Sequence, residues 1–164
     1  MNVGIIGSGG RENSICFALS KSNKVDKIFC MPGNAGTSKI AVNLNVDFLN
    51  FRLLLKTLKH YKIKLVIVGP EEPLVRGIVN FLEKNKIKVF GPNKFASQLE
   101  GSKAFMKSIC KKYKIPTANF KVCKNMSELK NSINNFSLPI VVKADGLAAG
   151  KGVVICKTKQ KAYK

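Results

Sequence analysis

Short apolar runs alternate with stretches of helical periodicity along the first part of the chain. Residues 2–6, 27–31, 41–46, 65–68 and 88–90 are rich in β-branched and aromatic side chains and read as strands. Between them, Ile15, Cys16 and Leu19 fall at helical spacing, as do Phe48, Phe51, Leu54, Leu55 and Leu58, and then Val75, Ile78, Val79 and Leu82. The first helix is predicted to run to about Lys21, and Asp47 is the expected N-cap of the second. Pro73 suits the first turn of the third, where Glu71 and Glu72 favour the positive end of the helix dipole. Strands alternating with helices predict a parallel sheet with helices on both faces. Ligands of such sheets gather at the carboxyl ends of the strands, which is where the loops after Ile6, Met31 and Val68 open.

From Asn93 the pattern changes. Phe95, Ala96 and Leu99 predict a short helical stretch that is interrupted at Gly101. Ser102 then caps a helix carrying Phe105, Met106, Ile109, Cys110 and Tyr113. A strand over 120–123, a helix from Ser127 to about Phe136, a hairpin of 140–142 with 153–155, and the start of a helix over 158–164 complete the reading. The boundary between domains is placed between 93 and 101, giving one domain over 1–100 and a second over 101–164. The second has too few elements to bury a core and reads as the opening of a larger domain, so the sequence is expected to be a fragment.

Three loops carry the chemistry of the first domain. Gly7-Ser8-Gly9-Gly10-Arg11-Glu12 joins a strand to a helix N-terminus, a geometry that binds phosphate through free N–H groups. A dinucleotide fingerprint requires Gly or Ala where Glu12 stands, so NAD is disfavoured. Pro32-Gly33-Asn34-Ala35-Gly36-Thr37 and Gly69-Pro70-Glu71-Glu72 end the other two strands; Glu71 and Glu72 read equally as helix-start residues. In the second domain, Lys143 precedes a loop with Asp145, Gly146, Ala148, Ala149, Gly150, Lys151 and Gly152. Small residues let the backbone approach an anion, and the lysines add positive charge. It is not a Walker A loop: Gly152 follows Lys151 where Ser or Thr is needed, and the loop joins two strands. Lys103 sits in a first helical turn, which disfavours a cation, so it reads as a partner for an anion or as a solvated surface lysine.

Composition narrows the picture. Hydrophobic residues make up 45% of the 164, a globular content. No run is long enough to cross a bilayer, and the N-terminus lacks the basic region of a signal peptide. Five scattered cysteines without a CxxC pair fit a reducing, cytoplasmic setting and no zinc site. The single histidine, His60, ends a helix and reads as a surface residue. A net charge of +20 invites a nucleic-acid reading. However, only Arg11, Arg52 and Arg76 are arginines, and the lysines are spread over the whole chain rather than gathered in a stripe.

The motifs together resemble one family, phosphoribosylamine–glycine ligase (glycinamide ribonucleotide synthetase) of purine biosynthesis, and the glycine hairpin resembles that of the ATP-grasp superfamily. The matching strings, in order, are GSGGRE from Gly7, PGNAGT from Pro32, VGPEEPLVRG from Val68, QLEGSKAF from Gln98, KIPTA from Lys114 and VVKADGLAAGKGVV from Val141. One departure is Asn13, where the family usually has His. The resemblance implies an α/β fold: a Rossmann-like, substrate-binding N-terminal domain followed by the beginning of an ATP-grasp domain. It implies ATP-dependent joining of glycine to 5-phosphoribosylamine through a glycyl phosphate. Lys103, Lys143, Asp145, Gly146, Gly150, Lys151 and Gly152 would take ATP. Gly9, Gly10, Arg11, Gly33, Asn34, Gly69, Pro70 and Glu71 would face phosphoribosylamine. Mg²⁺ or Mn²⁺ is implied, with its ligands and the catalytic residues beyond Lys164. The partners implied are small molecules, with no nucleic acid and no membrane. The rival readings are another ATP-grasp ligase or carboxylase, and a basic nucleic-acid-binding module.

Overall fold

The computed structural model describes residues 1–148 and 150–163; Ala149 and Lys164 lie outside the described residues. Contacts divide the chain into two compact units, Met1–Ser97 and Gln98–Lys164.

The first unit is built on five parallel strands: β1 (Asn2–Gly7), β2 (Ile28–Pro32), β3 (Val42–Asn43), β4 (Ile63–Val68) and β5 (Lys88–Phe90), in the order β3-β2-β1-β4-β5. β1 is central, and its side chains are buried on both faces because helices cover both. Ile5 packs with Cys16, Ile28 and Cys30 beneath α1 (Gly10–Ser20). Ile6 faces the other way, into the larger cluster formed with α2 (Phe51–His60), α3 (Glu71–Arg76) and α4 (Ile78–Lys84), through Leu54, Leu58, Leu74, Ile78 and Leu82. Burying each such side chain contributes about 1.5–3 kcal/mol before the entropy of ordering is subtracted.

Three expectations change in this unit. The N-cap of α2 is Asn50, whose Oδ1 accepts from Leu53 N–H at 3.1 Å. Asp47 instead accepts from Leu49 N–H in the turn before, so Phe48 packs on the core from outside the helix. The helix expected after β4 is two helices, because Gly77 takes φ +93°, a left-handed conformation that ends one turn and starts another. β3 has two residues rather than six: past Asn43 the chain leaves the ladder.

The second unit holds α5 (Gln98–Gly101), α6 (Lys103–Lys112), α7 (Met126–Ile133), the antiparallel pair β6 (Ile140–Lys143) and β7 (Val153–Cys156), and α8 (Lys159–Ala162). Its core is small: Ile133, Ile140, Cys156 and Ala162. α6 buries none of its residues, and Val141, Val153, Val154 and Ile155 are exposed. The strand expected over 120–123 is absent; among the described residues it has no ladder partner, and alternation alone does not make a strand.

Candidate functional site

At the carboxyl edge of the first unit's sheet, the loops after β1, β2 and β4 are tied to one another. Gly33 N–H donates to Gly7 C=O at 3.1 Å, and Gly69 N–H to Ile6 C=O at 3.1 Å. Asn34 makes the second tie. Its Nδ2 donates to Ser8 C=O at 2.8 Å and Gly9 C=O at 3.1 Å, while its Oδ1 accepts from the N–H groups of Gly36 and Thr37. Buried Thr37 supports it: Oγ1 accepts from Asn34 N–H at 2.7 Å and lies 2.8 Å from Asn43 Oδ1.

Arg11, in the first turn of α1, makes the third tie. Its two terminal nitrogens donate to Glu71 Oε1 at 3.2 and 3.1 Å, and its Nε lies 3.4 Å from Glu12 Oε1. Glu71 opens α3 just after Pro70, the N-cap. The structure thus brings Gly9, Gly10, Arg11, Gly33, Asn34, Gly69, Pro70 and Glu71 to one edge, next to the N-terminus of α1. Ser8, Gly9, Gly10 and Arg11 are exposed there. The fold puts these loops at the switch point of a parallel sheet, where the helix dipole and backbone N–H groups favour an anion.

Glu12, Thr37 and Asn43 escaped the sequence reading as site residues. Glu12 stood out only as the residue that breaks a dinucleotide fingerprint. Its position three after Gly9 was the available signal: Gly9 N–H donates to Glu12 Oε2 at 2.6 Å, half of a capping box.

In the second unit, Lys143 ends β6 opposite Val153. The hairpin loop beyond it is closed at its base by Ala144 N–H on Gly152 C=O at 2.8 Å. Gly146 and Gly150 adopt φ +92° and +78°, and a Cβ at either would meet open space, so the loop's backbone is uncovered on that side. Lys143 and Lys151 are exposed. Among the described residues Lys103 is not paired with a carboxylate: its Nζ donates to the carbonyl of Gly146 at 2.7 Å. Asp145 occupies the start of α6 instead, accepting from Ser102 Oγ at 3.0 Å and Ala104 N–H at 3.2 Å. Burial acts to raise the Asp145 carboxyl, but the hydrogen bonds from Ala104, Ser102, Gly146 and Lys103 outweigh it and hold the group below its ordinary value. Ala149, part of the expected phosphate loop, lies outside the described residues. Among the described residues no three His, Cys, Asp or Glu side chains gather as a metal site, and no helix is long and apolar enough to cross a membrane.

Comparison with known proteins gives both units a family. Residues 1–100 match the N domain of phosphoribosylglycinamide synthetase, and residues 101–164 its ATP-grasp (A) domain. The chain is 45% identical over 157 residues to the phosphoribosylamine–glycine ligase of Clostridium acetobutylicum, covering 96% of this chain and 38% of that protein. The Haemophilus influenzae ligase is 45% identical over 165 residues. The crystal structure of the Thermotoga maritima ligase superposes with a TM-score of 0.80 at 39% identity, covering 99% of this chain and 38% of that one. A biotin carboxylase domain from Hydrogenobacter thermophilus reaches the same TM-score at 18% identity and shows a shared fold only. The chain spans about 38% of the length of the curated relatives it matches.

Proposed function

The chain belongs to the phosphoribosylglycinamide synthetase family, and on that ground we propose that it supplies the substrate-binding domain and the opening of the ATP-grasp domain of an ATP-dependent carbon–nitrogen ligase. Residues 1–100 bind 5-phosphoribosylamine and residues 101–164 begin the ATP site, in the cytoplasm. The observation that carries this reading is the match along 96% of the chain to a phosphoribosylamine–glycine ligase.

The reaction is two transfers. A glycine carboxylate oxygen attacks the γ-phosphorus of ATP, the bond to ADP breaks, and glycyl phosphate forms. The amine nitrogen of phosphoribosylamine then attacks the acyl carbon, phosphate leaves, and the nitrogen gives up a proton as the amide forms. Both steps move negative charge, so positioned cations and N–H groups supply most of the help a protein can give. Lys103, Lys143 and Lys151 are the cations we assign to the ATP phosphates, and the backbone at Gly146, Gly150 and Gly152 lets the loop approach them. Asp145 holds the base of that loop against α6. Arg11 and the N-terminus of α1 take the phosphate of phosphoribosylamine, with Gly33, Asn34, Gly69, Pro70 and Glu71 around it.

Mg²⁺ or Mn²⁺ does not fit the described residues. Asp145 is the carboxylate beside the hairpin loop, and it is already bonded to Ser102 and Ala104. We assign the metal's ligands to the part of the relatives' length that this chain does not span.

The test is ADP release by the enzyme carrying this chain at the length of its relatives. Release that requires both glycine and phosphoribosylamine is expected. Release driven by bicarbonate and not by glycine would assign the protein to the carboxylase branch of the ATP-grasp enzymes.

A further inference from the structure

Glu12 is a carboxylate only 4% exposed, at the point where the loops after β1 and β4 meet. Side chains of this kind are almost never so buried unless paired. One oxygen, Oε2, accepts from Gly9 N–H at 2.6 Å. The other, Oε1, is buried and has no hydrogen-bond partner among the described residues; Arg11 Nε lies 3.4 Å away.

The surrounding backbone is shaped to this carboxylate. A Cβ on Gly7 would come within 2.7 Å of Glu12 Cδ, and one on Gly9 within 2.9 Å of Oε2. A Cβ on Gly69 would overlap Oε1 and approach Ile6 C=O at 3.0 Å. Glycines from two loops therefore close around a single side chain, which sets the spacing between them. Arg11 is held from both sides. Its Nε faces Glu12 on its own helix, and its terminal nitrogens reach Glu71 across the gap.

We propose that Glu12 is a positioning residue of the phosphoribosylamine site, fixing the Arg11 guanidinium from the Nε side so that its outer nitrogens face across the two loops. The inference rests on reading this edge as the phosphoribosylamine site. Glu12 touches no substrate; it acts through Arg11 and through the Gly9 and Gly69 backbone. A neutral amide of the same shape keeps the acceptor for Gly9 N–H but removes the charge facing Nε.

Two measurements test it. In the ligand-free 164-residue chain, Arg11 is one of three arginines, so its Nε–H signal is resolvable by ¹⁵N NMR. Glu12→Gln removes the negative charge beside Arg11 Nε, which repels the hydroxide that catalyses exchange, and is expected to speed exchange of the Arg11 Nε–H about tenfold, with the backbone amides of Gly9 and Gly69 unchanged. An unchanged Arg11 signal, or a shift of amides throughout the unit, would reduce Glu12 to a packing residue. Should Glu12→Gln not fold, Glu12→Asp keeps the charge but falls one methylene short, and the same Arg11 signal decides. In the active enzyme, Glu12→Gln is expected to raise KM for phosphoribosylamine about tenfold while KM for ATP and glycine stays within about twofold. Equal changes in all three would overturn the positioning role. If the wild-type enzyme shows no turnover dependent on phosphoribosylamine, it is the functional reading that fails, and the NMR measurement still decides for or against Glu12.

Discussion

Gly69 and Gly10 make a controlled pair. Both lie in the glycine loops, yet a Cβ on Gly69 meets Glu12 and the Ile6 carbonyl, whereas one on Gly10 meets nothing within 4 Å. Gly69→Ala is therefore expected to cost about 1–3 kcal/mol by overpacking, because a backbone oxygen cannot swing away. Gly10→Ala, at the first position of α1, is expected to be neutral or to stabilise by up to about 1 kcal/mol. Thermal melts followed by circular dichroism separate the two. Cys16 gives a pH-dependent counterpart. Burial above all, then Cys30 and the Glu12 charge, push its thiol from 9.0 to about 12. The unfolded chain releases this proton first, so the contribution is complete below pH 9 and is lost as pH rises toward 12. Over that interval Cys16→Ala should show a shallower fall in melting temperature than the wild type. Parallel curves would remove Cys16 as a source of alkaline instability.

The hairpin loop shows what an element adds to its residues. Asp145 ties the loop's entry to α6, while Lys143 and Lys151 stay exposed on either side. In the active enzyme, Lys143→Ala should weaken ATP binding about tenfold and leave phosphoribosylamine binding unchanged, as read by titration with each ligand. An unchanged ATP affinity would reduce Lys143 to a solvated lysine. Elements of this kind were legible wherever the signal is local: β1, β4, the glycine loops and the Ser102 cap follow from runs, spacing and caps within a few residues. What escaped depends on distant partners. Asp47 and Asn50 are equally able caps, and the packing of Phe48 on the core decides between them. Residues 120–123 alternate like a strand but have no strand to pair with among the described residues. Glu12 stands out only as the residue that breaks a dinucleotide fingerprint until Gly69, far along the chain, is folded against it. The bond from Lys103 Nζ to the Gly146 carbonyl on the hairpin loop likewise joins positions far apart in the chain, which helix spacing does not reveal.

Across the whole molecule, burial is uneven. β1 is enclosed on both faces, but α6 buries nothing, and the stretch from Lys111 to Lys124 carries exposed lysines outside any sheet. Local opening is easiest where few apolar contacts hold the backbone. Limited trypsin digestion of the 164-residue chain should therefore cut first within that stretch and leave a resistant piece containing Met1–Ser97. Early cleavage inside the first unit would contradict the burial pattern.

The central place of β1 also has a consequence during synthesis. Val3 pairs with Ile28 on one side and Leu65 on the other. A ribosome adding about 5–20 residues per second delivers β4 some seconds after β2, roughly 3–12 s after β1 itself. Between the emergence of β2 and that of β4, the central strand, five of whose six residues are buried in the folded protein, has a partner along one edge only. Slow translation between β2 and β4 lengthens the interval, so the yield of soluble protein should depend on codon choice there more than on codon choice after β5.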